Sequence, residues 1–381
     1  MMRLLKNVYH VLAAVLVLLF AYLLLTFVYN QYIVSHQIAL PAYPEQRATE
    51  PTPAVFSELN PKHLNILAID GGALWGLAEL EVLKAIEAKS GRQIYELFDV
   101  VAGSSTGAII ASLLLLPDTG DSKPQTTEAA IEDYEAFASK VMDRPPLQFL
   151  LSAFGLTGTL FRNEGRIQVA EEVFGDATFG QLVVPTLLPG FVVNREGYQL
   201  FRNWQPENSQ LLLSSLVTAV TSAEMVFPSI ELEGYDKGRV IVSDPAYVLN
   251  SPGLAAYIAA REKAPSADTV TVVTVGPSGS FTIADDIRFR GGFAQWIVPI
   301  IRMSFVSQSS SAQQALNAHR QYDHTPVTYN FRLTPNVDGT SAFDTSRANL
   351  DRISQIGRDF VANNDKLIDE VVAQLLQKHE R

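Results

Sequence analysis

Two glycine-rich turns most constrain what this chain can become. Asp70-Gly71-Gly72 follows the apolar stretch 64–69, and Gly103-Ser104-Ser105-Thr106-Gly107 follows the apolar stretch 98–102. Each turn then opens a segment with helical spacing of its apolar residues. Strand, tight turn and helix in close succession, met twice, restrict the chain to a β/α architecture. Parallel neighbours in a sheet need crossover connections, and helices are the usual ones.

The same rhythm continues. Residues 77–88 place Leu80, Leu83 and Ile86 on one side of a helix, and 107–116 reads as the next helix. Further strands are expected at 186–193, 240–242 and 270–274, and 348–377 reads as mostly helical. Residues 117–127 read as a polar loop. The predicted fold is α/β, with three α/β/α layers and a mostly parallel central sheet covered on both faces. The chain has 381 residues, 47% of them hydrophobic, enough for a sizeable core. No break in the pattern requires a second globular domain.

A different signal occupies the N-terminus. Residues 8–28 contain no Asp, Glu, Lys or Arg, and 11–25 are close to uniformly apolar. A span of roughly twenty residues at about 1.5 Å each crosses the hydrocarbon of a bilayer. Tyr9, Tyr29 and Tyr32 stand where interfacial aromatics belong. The run is longer than a secretory h-region, and no clear small-x-small site follows it, which favours an uncleaved anchor over a signal peptide. Arg3 and Lys6 precede the span, and the first Lys or Arg after it is Arg47. The expected organisation is a cytoplasmic N-terminus (1–7), a transmembrane helix (8–29), a Pro-containing tether (30–63) and an extracytoplasmic domain (64–377), periplasmic in a bacterium. Residues 145–156 read as a helix packed on the core, but are apolar enough that a lipid-facing lip is the alternative.

Charge and residue usage narrow the chemistry. The formal charge is −11, which argues against nucleic acid as a partner and against a purely electrostatic grip on anionic lipid. The chain has no cysteine, which excludes disulfides, thiol nucleophiles and Cys-zinc sites. Its six histidines are scattered, with no H-E-x-x-H, so no metal site is expected. Oligomeric state is not legible.

The second turn has the form G-x-S-x-G between strand and helix, the context of a nucleophile elbow. Small residues at Gly103 and Gly107 allow the sharp turn. Ser105 then sits at a helix N-terminus, where the Thr106 N–H and the helix dipole favour negative charge. Ser104, in the x position, is the competing serine. A plain βα turn is the alternative reading.

The first turn invites a dinucleotide reading, but Ala73 stands where a second motif glycine is needed, and no ribose-binding acid ends the next strand. Read for acyl chemistry, the N–H groups of Gly71, Gly72 and Ala73 converge on a tetrahedral oxyanion. A serine also needs a base. His319 and His324 lie in a polar stretch without an evident active-site turn. Asp244, at the end of 240–242 and followed by Pro245 and Ala246, is better placed: strand ends at one edge of a parallel sheet gather at a common site. Burial would raise its pKa and suit it to the task.

These residues resemble the patatin-like phospholipases, whose motifs are D-G-G-G-x-R-G, G-x-S-x-G and D-G-G/A. The matching segments here are Asp70 to Gly76, Gly103 to Gly107 and Asp244-Pro245-Ala246, in the family's order. Phe174-Gly175-Asp176-Ala177-Thr178, Thr221-Ser222-Ala223 and Asn250-Ser251-Pro252 are lesser matches. The resemblance implies a Ser105–Asp244 dyad, an oxyanion hole at the first turn and hydrolysis of fatty-acyl lipid esters without metal or organic cofactor. Transfer of the acyl group to another alcohol shares the same acyl-enzyme. This chain departs from the pattern at Ala73, at Trp75 in place of the basic residue, and at Pro245. Those departures make a catalytically degenerate lipid- or partner-binding relative the alternative.

Overall fold

A computed structural model describes residues 2–33, 38–45, 62–117, 123–142, 147–195, 197–280, 283, 285–322 and 326–379. Nine strands form one sheet: β1 (Ala39–Pro41), β2 (His63–Ile69), β3 (Val100–Gly103), β4 (Thr186–Val192), β5 (Tyr198–Arg202), β6 (Ile230–Glu233), β7 (Ile241–Ser243), β8 (Thr269–Val275) and β9 (Val327–Leu333). Their order is β1-β6-β7-β4-β3-β2-β8-β9, with β5 also paired to β4. The segment β4-β3-β2-β8-β9 is parallel throughout, and β7 and β5 run antiparallel to β4.

The apolar runs explain the layering. Successive side chains of a strand face opposite sides. Leu67 and Ile69 of β2 enter one buried cluster, while Leu64 and Ile66 enter the other. The larger cluster is covered by helices Gly76–Ser90, Thr106–Leu115, Leu213–Val220, Arg347–Asn363 and Asp365–Leu376. The smaller is covered by Gly253–Lys263 and by Leu316 of Phe293–Tyr322. The fold is thus the expected three-layer α/β/α arrangement with a mostly parallel sheet.

Several expectations change in detail. Within the segment read as a tether, β1 pairs in parallel with β6, and Leu40 and Ala42 are buried; residues 34–37 and 46–61 lie outside the described residues. Strands β5, β6 and β9 were not expected. The helix read over 348–377 is two helices, broken at Asn364. The N-terminal helix Met2–Val28 is long and apolar enough to cross a membrane, a property it shares with signal sequences.

Register also changes how Asp244 arrives. It does not end a parallel strand. Antiparallel β7 pairs Ser243 with Phe191, near the C-terminal end of β4, while parallel β3 pairs Ala102 with Leu187. Strand β5 fills the other side of β4 at both Leu187 and Phe191, so β3 and β7 share one side, and extending both registers brings Asp244 and Ser105 together level with Gly190.

Candidate active site

The elbow is built from its glycines. A Cβ on Gly103 would collide with the Gly107 carbonyl, and a Cβ on Gly107 with the Ile69 carbonyl. Only bare backbone lets β3, the following helix and β2 approach this closely. Between them Ser105 adopts φ 52, ψ −122. Holding a non-glycine residue there costs on the order of 1–3 kcal/mol, so the surrounding fold must impose it. The strain lifts Oγ out of the turn. Ser104, fully buried, instead donates its hydroxyl to the Leu249 carbonyl at 3.0 Å, a structural role.

Ser105 Oγ donates to Asp244 Oδ2 at 2.5 Å, and the Ala246 N–H donates to Oδ1 at 2.9 Å. Asp244 is 1% exposed. Burial pushes its carboxyl up to about 7, against the hydrogen bonds from Ser105 and Ala246; Glu224 adds to the rise and Arg166 opposes it. The carboxyl is therefore poised near neutrality, where a general base works best. Pro245 occupies φ −79, just inside the range its ring allows, so proline in place of glycine is accommodated.

The loop after β2 differs in part from expectation. The Gly71 N–H donates to the Asn250 carbonyl at 3.1 Å, and Asn250 Nδ2 donates back to the Gly71 carbonyl at 3.2 Å. Gly71 is thus committed to holding the loop and is withdrawn from the oxyanion donors. A Cβ there would strike the Asn250 side chain, which explains the glycine. Among the described residues no hydrogen bond engages the N–H groups of Gly72, Ala73 or Thr106. Ala73 adopts φ 48, the conformation a third glycine would take easily. Its carbonyl accepts from the Tyr134 hydroxyl at 2.8 Å, and Tyr134 also bonds the Thr106 hydroxyl, tying loop to elbow. Gly76, against Thr106 and Tyr134, leaves room for that bridge.

Two arginines escaped sequence reasoning. Arg332 of β9 pairs with buried Asp70 at 2.6 Å, beneath the loop whose usual cation is replaced by Trp75. Burial raises the Asp70 pKa, and Arg332 counters it. Neighbouring Glu79 is fully buried, and its pKa is pushed well above the ordinary range by burial and by Asp70, with Arg332 opposing. Trp75 meanwhile donates its indole N–H to Thr340 Oγ1 at 3.0 Å.

Arg166 is 5% exposed, with its guanidinium 4.5 Å above the Phe227 ring. It donates to the Thr221 carbonyl at 2.9 Å, to Asn163 Oδ1 at 3.0 Å, and to the Thr218 carbonyl and Ser222 hydroxyl. Ser222 in turn accepts the Asp244 N–H at 3.0 Å through its carbonyl. Arg166 therefore fixes the backbone that fixes the base, and burial lowers its own pKa to about 9. A signal existed: Arg166 stands beside Ile167 and four residues before Ala170, on the apolar stripe of its helix.

Ser105, Asp244, Gly72, Ala73 and Arg332 line a cavity of about 720 Å³. That lies within the usual range of roughly 300–1,000 Å³ for ligand pockets. Its walls are mainly apolar, including Ile109, Leu113, Phe137, Val173 and Phe305. No histidine lines it among the described residues. His319 packs against Tyr257 in the opposite layer, and His324 lies outside the described residues.

Comparison with known proteins gives the chain a family. The patatin-like phospholipase family profile matches residues 67–257. A cGAMP-activated phospholipase of Pseudomonas aeruginosa is 26% identical over 261 residues, covering 66% of this chain and 74% of that protein. A cUMP-AMP-activated phospholipase of Escherichia coli is 55% identical over 51 residues, 13% of this chain and 16% of that protein. Patatin-like protein 3 of Arabidopsis thaliana is 22% identical over 248 residues, 59% of this chain and 57% of that protein. Among solved structures, human GIVD cytosolic phospholipase A2 aligns with a TM-score of 0.40 at 10% identity, covering 84% of this chain and 63% of that one.

Proposed function

This chain belongs to the patatin-like phospholipase family, and we propose that it is a membrane-anchored lipid acyl hydrolase using Ser105 as nucleophile and Asp244 as base. The observation that carries the reading is the hydrogen bond from Ser105 Oγ to Asp244 Oδ2 inside an apolar cavity.

Ser105 Oγ attacks the ester carbonyl carbon as its proton passes to Asp244. The carbonyl oxygen becomes an oxyanion, held by the N–H groups of Gly72, Ala73 and Thr106. Collapse breaks the ester bond, and Asp244 returns the proton to the departing alcohol. Asp244 then takes a proton from water, the resulting hydroxide attacks acyl-Ser105, and fatty acid is released while Ser105 regains its proton. Each proton transfer falls to Asp244, with no further base required. The helix Met2–Val28 serves as anchor, and Arg3 and Lys6 assign its N-terminus to the cytoplasm and the domain to the other side.

The degenerate alternative is less well supported, because each departure from the family pattern has an accommodation. Ala73 accepts the left-handed conformation, Pro245 stays inside the φ range its ring allows, and Arg332 brings a cation to the loop that Trp75 left without one. The test is fatty-acid release from phosphatidylcholine vesicles by wild type and Ser105→Ala. The variant is expected to lose turnover while keeping its fold; retained turnover contradicts the reading.

A further inference from the structure

The N-terminal helix does more than end near the domain. Tyr22 donates its hydroxyl to the Leu150 carbonyl at 2.5 Å, and Asn30 Nδ2 donates to the Leu151 carbonyl at 2.6 Å. Asn30 is buried in this contact, and a Cβ on Gly158 would strike its amide. The segment 147–160 is therefore clamped along the last turns of the helix, at two points on one side of it.

The position of those points sets a depth. If residues 8–28 cross the hydrocarbon, Tyr22 lies roughly 9 Å inside its far boundary, six residues at about 1.5 Å each. A backbone carbonyl bonded to Tyr22 shares that depth. The chain around it is suited to the place: between Leu147 and Leu160 there is no ionisable residue. Leu147, Phe149, Leu150, Phe154 and Leu156 all present exposed side chains, with Leu156 79% exposed. Ala153, Phe154 and Gly155 all take positive φ, and the resulting turn carries the Phe154 ring outward against Phe149. Exposed to water, such a patch is a liability; against lipid it is favourable.

The same segment leads to the cavity. Leu160 and Phe161 donate their N–H groups to the carbonyls of Met225 and Val226 at 3.1 and 2.9 Å. The Phe161 ring packs on Phe227 and Phe343, at 5.5 and 6.3 Å between centroids, and Val226, Phe227 and Phe343 line the cavity. Phe161, five residues beyond Leu156, thus packs directly on side chains that line the cavity.

We propose that residues 147–156 form a lip immersed in the outer half of the bilayer that the N-terminal helix crosses, so that a lipid acyl chain passes sideways from the leaflet into the cavity. Pro145 and Pro146, which begin the apolar stretch in the sequence, lie outside the described residues. The proposal rests on the reading of the helix as a membrane anchor, and its test separates the two.

The chain lacks cysteine, so single cysteines label uniquely. Leu156→Cys, Leu18→Cys and Lys263→Cys of the full chain carry an environment-sensitive fluorophore in phosphatidylcholine vesicles, with iodide on both sides or doxyl-labelled lipid within. All three positions are exposed at the protein surface, and Lys263 stands at the opposite end of the sheet from the site. Labels at 156 and 18 are expected to be quenched by doxyl lipid, with iodide quenching at least roughly fivefold weaker than at 263. A label at 156 that iodide quenches as it does 263, beside a lipid-buried label at 18, overturns the lip and leaves the anchor standing. Iodide access at 18 as well overturns both.

Discussion

At the residue scale the account turns on the protonation of Asp244. Ser105 gives up its proton only to a carboxylate, and burial holds that carboxyl up at about 7. kcat/KM for a soluble ester is therefore expected to rise with pH through about 7 and to level off above it. Arg166 opposes the rise, so Arg166→Met should move the inflection to higher pH, with Arg166→Lys moving it less. A residue that merely packs would lower the plateau without moving the inflection. The same burial has a stability consequence with a definite sign. The folded state holds the Asp244 proton more tightly than the unfolded chain, so stability from this group is present below the ordinary pKa of 3.8 and is lost as pH rises through about 7. That gap corresponds to about 4 kcal/mol. Asp244→Asn should accordingly raise Tm at pH 8 and change it little at pH 4, while abolishing turnover. A lower Tm at pH 8 would show that the buried charge is better compensated than its surroundings indicate. The residue identities of the dyad were legible because small residues and a strand-end carboxylate leave a local pattern. Arg166 left only its place on the apolar stripe of its helix as a signal and Arg332 none, because the groups that give them their roles (Thr218, Thr221 and Ser222 for Arg166, Asp70 for Arg332) lie far off in sequence and no motif joins them.

At the scale of elements, the elbow and the sheet edge make separate predictions. Gly103→Ala places a methyl group against the Gly107 backbone, which cannot retreat without moving the helix Thr106–Leu115. Overpacking against backbone is expected to cost about 3 kcal/mol, read as a lower midpoint in denaturant unfolding. Strand β1 makes the second. A chain beginning at residue 38 keeps β1 on β6, whereas one beginning at residue 46 removes it and bares the β6 edge. Leu40, 3% exposed, is lost with it, and burying a leucine contributes roughly 1.5–3 kcal/mol. The shorter chain should melt lower and aggregate sooner; equal melting would mean that β1 adds nothing to the domain. The parallel core strands were legible from their continuous apolar runs, which sheets covered on both faces require. Strand β1 is only three residues long and follows a long apolar helix, β5 interrupts its apolar residues with Gln199 and ends in Arg202, and β9 mixes Tyr329, Asn330 and Arg332 with apolar residues, so none of them shows such a run. Short antiparallel β7 was expected as a strand, but its direction rests on pairing with β4, which no local pattern encodes.

On the scale of the whole molecule, two parts of the chain that look independent in sequence are joined. The apolar helix and the domain meet through Tyr22 and Asn30, each bonded to a backbone carbonyl more than a hundred residues away. Apolarity alone marked both the helix and the segment 145–156, but only the three-dimensional contact says that the helix and residues 147–156 share one side of the molecule. Substrate entry falls there and chemistry at the level of Gly190, where the turn after β3 and the end of β7 meet on one side of β4. Its central claim is the nucleophilic identity of Ser105, and the most direct measurement is reaction with a fluorophosphonate probe followed by mapping of the modified peptide. The adduct is expected on Ser105, absent in Ser105→Ala, and formed roughly 10²–10⁴-fold more slowly in Asp244→Asn, the usual range for losing a general base. An adduct on Ser104, or labelling of Ser105→Ala at the wild-type rate, would contradict the account.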